Sequence, residues 1–360
     1  MRSRTAALAL VLVTALLGAQ AASASRFMQV GIFDDAQINY GNPDRVFPML
    51  KQLRTQVIRV NLAWGGPTGV AKRKPVNPMN PNDPAYDWSV YDRTVFYAQQ
   101  YGMKVVFAIL GTPPWANGAK GINVAPRSAL DLERFAVAAA RRYSGTFETE
   151  DGRTIPPVRQ WLAWNEPNNP AFLRPQYRKV GRTQVIQSAI DYAKICNAIV
   201  KGVRKTTVGG SKVACGVTGP RGNNNPNSAR PAVSPLPFLR ALKKAGAKGF
   251  DAYAHHPYYG APSESPATPS PGRGGVTLGN IDALVSELTR LYGRKRIWIT
   301  EYGYQTNPPD GVFGVSWATQ AAYVRQSFAI ARAHPRIDML LWFLLQDEPD
   351  PARWQSGLVS

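Results

Sequence analysis

Two glutamates, each at the end of a strand-like segment, are the residues of this chain best placed for acid–base chemistry. Glu166 ends the segment WLAWNE, and Glu301 ends the segment IWITE. A period of two residues places Glu301 on the same side as Ile297 and Ile299, so we expect its carboxylate to continue a column that faces the core. A carboxylate in such a place is unfavourable unless it is paired or functional.

Two carboxyl groups that face each other across a pocket can break a glycosidic bond. One group, held protonated, protonates the leaving oxygen, and the other attacks the sugar or activates water. A salt-bridged structural glutamate is the ordinary alternative for either residue alone. Two such residues at the ends of strands that lie nearly opposite each other, across the mouth of a barrel, favour the catalytic interpretation.

The elements that must position these residues follow from a regular alternation of strand-like and helix-like patterns. Eight strands that alternate with seven helices predict a (β/α)8 TIM barrel, with an open doubly wound sheet as the alternative. No glycine-rich nucleotide-binding fingerprint follows a strand, which disfavours that alternative. The predicted strands are residues 28–33, 57–63, 104–110, 159–165, 212–217, 250–256, 296–301 and 338–345, and the predicted helices include 90–101, 129–143, 184–206, 237–245, 281–292 and 317–333.

The chain is short at its end for a complete barrel. Residues 346–360 contain two prolines and a glycine and show no helical periodicity. We therefore expect the eighth helix to be short or missing. The outer face of strands eight and one then needs another cover.

Residues 1–24 have the three-part pattern of a secretory signal peptide. Arg2 and Arg4 precede an apolar run, residues 6–17, and small residues at 22–24 match the cleavage pattern. A buried N-terminal helix is the alternative. The run is too short for a membrane anchor, and no later stretch qualifies as a span. We expect a secreted, extracellular protein with one catalytic domain, residues 25–360.

Several segments together resemble a known superfamily. WNEPN, residues 164–168, is similar to the fourth-strand Asn-Glu signature of the clan A retaining glycoside hydrolases, which are (β/α)8 enzymes such as cellulases, mannanases and β-xylosidases. TEYG, residues 300–303, resembles the nucleophile segment of their seventh strand. The further matches are Arg59 on strand two, His256 and Tyr258 on strand six, and Trp342 on strand eight.

By this resemblance, Glu166 is the general acid/base and Glu301 the nucleophile of a retaining double displacement on a carbohydrate, with no cofactor and no metal. Arg59 and the hydroxyl of Tyr258 would favour the charged form of Glu301. Asn165 would bind the sugar hydroxyl at carbon 2. Transglycosylation through the same intermediate and a non-catalytic barrel that binds a glycan or a cell envelope remain the alternatives.

The other candidate binding residues are a histidine and aromatic rings. His256 has the phase of an inward-facing residue, whereas His255 has the opposite phase and is expected to be structural. Flat rings at strand ends suit the apolar faces of sugars. The candidate sugar platforms are Trp64, Trp115 and Trp342, with a core position equally open for Trp115.

The chain carries 43 Lys and Arg against 23 Asp and Glu, a net charge of +20. The cations are dispersed and no nucleic-acid motif accompanies them, so a solvated surface is the default and nucleic acid is not an expected partner. Attraction to an anionic cell-envelope polymer is the sharper hypothesis. Cys196 and Cys215 either pair in a disulfide or remain separate buried thiols.

Overall fold

The computed structural model describes Ser25, residues 27–206 and residues 209–359, so the predicted signal peptide lies outside the described residues. The strands are β1 (Gln29–Phe33), β2 (Val57–Ala63), β3 (Lys104–Leu110), β4 (Gln160–Ala163), β5 (Tyr177–Val180), β6 (Thr183–Ile186), β7 (Lys212–Thr218), β8 (Ala252–His255), β9 (Arg296–Tyr302) and β10 (Ile337–Phe343). The α-helices are α1 (Pro43–Gln52), α2 (Ser89–Gln100), α3 (Pro114–Asn117), α4 (Ala129–Arg142), α5 (Gln187–Arg204), α6 (Pro235–Lys244), α7 (Ile281–Tyr292) and α8 (Trp317–Ala333).

Eight parallel strands close into a barrel in the order β1-β2-β3-β4-β7-β8-β9-β10. The last strand pairs with the first, and Phe343 lies opposite Phe33 in the register of that pair. The predicted (β/α)8 TIM barrel is confirmed, and the predicted strand ends differ from the observed ones by no more than two residues. The strands β5 and β6 form a separate antiparallel hairpin between β4 and α5, which the sequence did not predict.

Two apolar layers hold the barrel together. Val106 and Ala108 of β3 point inside, where they meet small side chains of the other strands and Trp298. Phe107 and Ile109 alternate with them and pack outward in the layer between the barrel and the helices. This alternation follows from the two-residue period of a strand, and burial of both layers drives the fold.

The seven longer helices each follow a barrel strand. Ser128 and Ser316 cap α4 and α8, because their hydroxyl groups accept hydrogen bonds from backbone N–H groups in the first turns of these helices. The helix α1, whose bounds were not predicted, begins at Pro43 behind the capping side chain of Asn42. None of the helices in the described part of the chain combines the length and the apolar character that a membrane span requires.

Cys196 of α5 and Cys215 of β7 form a disulfide, with their α-carbons 5.9 Å apart. Of the two possibilities that the sequence left open, the structure has the paired one. The bond ties α5 to the strand that follows it. A cross-link between residues 19 positions apart restricts the unfolded chain and so stabilises the fold.

No helix follows β10 among the described residues, which reach Val359. Residues 344–359 form a loop instead, and the indole of Trp342 donates a 2.8 Å hydrogen bond to the carbonyl of Ser356 within it. Ile32 of β1 and Leu340 of β10 are 3% and 0% exposed. The outer face of these two strands is therefore covered without an eighth helix.

Candidate active site

A strained turn after β4 places Glu166 at the barrel mouth. Trp164 and Glu166 have positive φ angles of 69° and 33°, which residues with a β-carbon rarely adopt. The N–H of Glu166 donates to the carbonyl of Val217 at 2.9 Å, and the indole of Trp164 donates to the carbonyl of Phe172 at 2.7 Å. Backbone strain fixed by such bonds is typical of functional sites.

A β-bulge in β9 sets the direction of Glu301. Between two successive paired positions, β9 carries one residue more than β10. Ile297 and Ile299 pack in the layer between barrel and helices, whereas Glu301 points into the barrel mouth. The prediction that Glu301 shares a face with Ile297 and Ile299 is therefore wrong, because the extra residue reverses the phase of the strand.

Arg59 of β2 is completely buried beneath the two glutamates. Its Nη1 lies 2.7 Å from Oε1 of Glu301, and its Nη2 donates to Oδ1 of Asn165 at 2.8 Å. The hydroxyl of Tyr258 donates to the other oxygen of Glu301 at 3.2 Å. The carboxylate of Glu301 thus accepts a hydrogen bond at each oxygen, and these two bonds fix its position.

His256 links the two glutamates. Its Nε2 lies 3.2 Å from Nη1 of Arg59, which can only donate, so Nε2 accepts and Nδ1 carries the proton. That Nδ1–H donates to Oε1 of Glu166 at 3.1 Å. Burial lowers the pKa of His256 to about 3, and the ring is therefore neutral at physiological pH. His255 lies on the opposite side of the strand and bonds to Thr218 and to the carbonyl of Val276.

Glu166 has the surroundings of a protonated acid. Burial raises the pKa of its carboxyl group, against the hydrogen bond from Asn169 and the charge of Arg59. Nδ2 of Asn169 lies 3.0 Å from Oε2 of Glu166. The orientation of this amide is fixed, because its oxygen accepts the N–H of Ala171 at 3.1 Å. The sequence did not single out Asn169.

Glu166, His256 and Glu301 each offer one atom, and these three atoms lie within 4.8 Å of one another. A metal ion could be held at such a spacing. However, the guanidinium of Arg59 already supplies a positive charge at 2.7 Å from Glu301, and a cation beside it would be repelled. The residues therefore fit acid–base chemistry better than a metal centre.

Glu166 and Glu301 line a cleft of about 650 Å³ at the C-terminal end of the barrel, together with Asn165 and Tyr258. Its lining is acidic. None of the described residues that line it is a lysine, arginine or histidine. The carboxyl-bearing residues of the lining are Asp34, Asp35, Glu166, Glu301 and Glu348.

Sequence reasoning missed the two aspartates, although they follow the first strand directly. Asp34 joins β1 to the loop after β10 by accepting the N–H groups of Leu345 and Gln346. Oδ1 of Asp35 accepts the N–H of Asn61 at 3.0 Å. Burial raises the pKa of Asp35 to about 7. Two acidic residues at a strand end are the signal that could have identified them.

The tryptophans predicted as sugar platforms lie elsewhere. Trp64 is completely buried against Phe135, Trp115 packs edge-on against Trp64, and Trp342 is completely buried in the layer between barrel and helices. The prediction of a sugar platform is wrong for Trp64 and Trp342, and Trp115 is half-buried and packs against the core.

The aromatic wall of the cleft comes from Phe343 and Trp354 instead. The indole of Trp354 stacks on Tyr258 at 5.3 Å and meets Phe343 edge-on at 5.7 Å. The two-residue period would have shown that Phe343, and not Trp342, shares the inward face with Met339 and Leu341. Trp354 lies in the loop after β10, where no periodicity identifies it.

No protein-family model matches the chain, and no curated protein sequence matches it. Solved structures do. They include a family 39 glycoside hydrolase from Bacteroides cellulosilyticus WH2, with a TM-score of 0.61 and 19% sequence identity. The match covers 92% of this chain and 59% of that enzyme. The catalytic domain of a family 53 enzyme from Ignisphaera aggregans matches with TM-score 0.54, 17% identity and coverage of 92% and 88%. A family 1 β-glucosidase from Thermotoga maritima matches with TM-score 0.55, 12% identity and coverage of 94% and 91%.

These structural neighbours are glycoside hydrolases of clan GH-A, and the likeness extends over most of the chain. The chain spans 59% of the family 39 enzyme and also 59% of a glucosidase from Croceicoccus marinus. At identities of this size the likeness shows the fold. The chemistry must be argued from the residues of the cleft.

Proposed function

We propose that this protein is a retaining glycoside hydrolase that cleaves O-glycosidic bonds of an oligo- or polysaccharide. The proposal rests on the pair Glu166 and Glu301, which approach within 4.8 Å in opposite surroundings. A retaining site needs its carboxyl groups only about 5–5.5 Å apart, since no water stands between the nucleophile and the sugar.

In the first step, a carboxylate oxygen of Glu301 attacks the anomeric carbon as the bond to the leaving oxygen breaks. Arg59 and Tyr258 hold this carboxylate in place. Glu166 transfers its proton to the leaving oxygen, and burial, which raises its pKa, favours the form that carries this proton. The products of this step are a glycosyl ester of Glu301 and the free leaving alcohol.

In the second step, Glu166 removes a proton from a water molecule that attacks the anomeric carbon and releases Glu301. Esterification of Glu301 removes a nearby negative charge, which favours ionised Glu166 at this stage. The oxygen of Asn165 accepts from Arg59, so its Nδ2 is the atom available for the sugar hydroxyl at carbon 2. This hydrogen bond would tighten in the transition state.

A panel of polysaccharides and aryl glycosides, analysed for released sugars, tests the proposal. We expect Glu301→Gln to abolish turnover. Glu166→Gln should spare only glycosides whose leaving group needs no proton. Glu150→Gln, an exposed residue, is the matched control and should retain wild-type activity. Wild-type rates for either cleft variant on an unactivated natural glycoside would refute the roles.

The same panel separates the two alternatives. Larger products that form only with an added acceptor sugar would identify a transglycosylase. Saturable binding of an oligosaccharide without any cleavage across the panel would favour a non-catalytic glycan-binding barrel.

We also propose that the protein is secreted. The signal-peptide pattern of residues 1–24 is the basis. The disulfide between Cys196 and Cys215 supports it, because disulfides persist in oxidising compartments. Recovery of the processed chain, beginning near Ser25, from the culture medium of the producing cell would test it. Full-length chain retained inside that cell would contradict it.

A further inference from the structure

The end of the barrel opposite the cleft carries a row of cations. Lys104 begins β3, Arg159 precedes β4, and Lys212 begins β7. These three strands are neighbours in the barrel. The N–H of Lys212 donates to the carbonyl of Arg159 at 2.7 Å. Since parallel strands all begin at the same end of the barrel, the three cations gather on one face.

These cations line a groove, which we call the basal groove. It consists of two adjoining cavities of about 630 and 510 Å³ that share Lys104, Gln160 and Lys212. Within the described residues, no carboxylate lies within ion-pair distance of Lys104, Arg159 or Lys212. Asp338, the one acidic residue among the described residues that line the groove, is paired with Arg296. The groove therefore has an excess of positive charge.

The groove also offers polar atoms that no protein group satisfies. Nε2 of Gln160 donates to Gln29 at 2.8 Å, while its buried oxygen has no partner in the described part of the chain. The same holds for Nη1 of Arg159. Buried polar groups are normally hydrogen-bonded, so these two side chains have hydrogen-bonding capacity that the protein does not use. The ring of Phe27, 90% exposed, stands at the edge of the groove.

Helix dipoles do not account for these cations. Several helices end in basic residues, such as Lys243 and Lys244 of α6, and a cation there stabilises the C-terminal end of the helix. Lys104 and Lys212 belong to strands, and Arg159 directly precedes one. The acidic cleft lies at the opposite end of the barrel, so the linings of the cleft and of the basal groove differ in the sign of their charge.

We propose that the basal groove binds an acidic polysaccharide, one whose sugars carry carboxylate groups. Lysine and arginine recognise the carboxylates, amide groups of the glutamines recognise hydroxyls, and an aromatic ring covers an apolar sugar face. A recessed groove admits a single glycan chain, whereas a bilayer presents a flat surface. The enzyme would thus be held on one polymer while the cleft, at the other end of the barrel, remains accessible. This inference does not depend on the chemistry proposed for the cleft.

Binding of the full chain to polygalacturonate, measured by affinity electrophoresis with neutral galactan as reference, tests the proposal. We expect retardation by polygalacturonate alone, weakening with salt. The double variant Lys104→Gln with Lys212→Gln should lose about tenfold in affinity. The double variant Lys104→Arg with Lys212→Arg keeps both charges and should bind with the affinity of the wild-type protein.

The matched control is Lys72→Gln with Lys74→Gln. It removes the same charge from exposed residues of the loop after β2, at the cleft end of the barrel. If the two double glutamine variants lost the same amount of affinity for polygalacturonate, net charge alone would explain the effect. That result would overturn the proposal. Binding to phosphatidylglycerol vesicles or duplex DNA, without binding to polygalacturonate, would likewise overturn it.

Discussion

The α-carbon of Gly219 faces the carboxyl group of Glu166 so closely that a β-carbon at this position would lie 3.0 Å from Cδ and 3.1 Å from both oxygens. Only a residue without a side chain leaves this acid where the turn after β4 places it. The contact connects the fifth barrel strand, β7, to the chemistry that we propose for the end of the fourth.

We expect Gly219→Ala to lower kcat/KM by about tenfold or more, because displacement of a catalytic group by a fraction of an ångström disturbs the reacting geometry. Gly311→Ala is the control, since its β-carbon would meet no atom within 4 Å. Steady-state kinetics and thermal unfolding of both variants check this. Unchanged kinetics for Gly219→Ala would show that the carboxyl group has room to move without effect.

Asn169→Ala should move the alkaline limb of the pH profile upward. The hydrogen bond from Asn169 favours ionised Glu166 and lowers its pKa. Without that bond the pKa rises, so Glu166 keeps its proton to higher pH and kcat/KM is lost later as pH increases. Asn227→Ala, an exposed position, is the control. A fall in activity with an unmoved limb would indicate a merely structural role for Asn169.

Trp354 and Trp342 should respond differently to truncation. Trp354→Ala removes a wall of the cleft, so we expect a raised KM and a small change in stability. Trp342→Ala opens a cavity in a fully buried position and should lower the free energy of unfolding by roughly 3–5 kcal/mol. Steady-state kinetics and denaturant unfolding of the two variants check this prediction. A destabilised Trp354→Ala with unchanged KM would contradict the assignment.

Asp35→Asn should change how stability depends on pH. The folded-state pKa of Asp35 is about 7, above its ordinary value of 3.8. Between these values the unfolded chain has released the proton that the folded chain retains, so wild-type stability falls as pH rises. The variant lacks this loss. The difference in free energy of unfolding between the variant and the wild-type protein should therefore favour the variant more at about pH 8 than at about pH 4. An advantage independent of pH would contradict the raised pKa.

The sequence was sufficient for the barrel because apolar strand patterns alternate regularly with helical patterns along the chain. It failed at Glu301, where the bulge in β9 reverses the phase of the strand. It also failed at Trp342, because the regular alternation along β10, which places Phe343 inward, was overlooked. The short polar strands β5 and β6 carry too little apolar pattern to stand out.

The pairing of Glu166 with Glu301 could be predicted because each lies in a recognisable segment at a strand end. The environment of the pair could not. Asn169, Gly219 and Trp354 reach it from loops, whose course is determined by hydrogen bonds that no period in the sequence encodes.

Trapping of the covalent intermediate tests the central claim most directly. The wild-type protein is incubated with activated deoxyfluoro glycosides of the sugars that the panel identifies as substrates, and its peptides are analysed by mass spectrometry. We expect one glycosyl group per chain, attached to Glu301, and a product that retains the anomeric configuration. A label on another residue, or a product of inverted configuration, would contradict it.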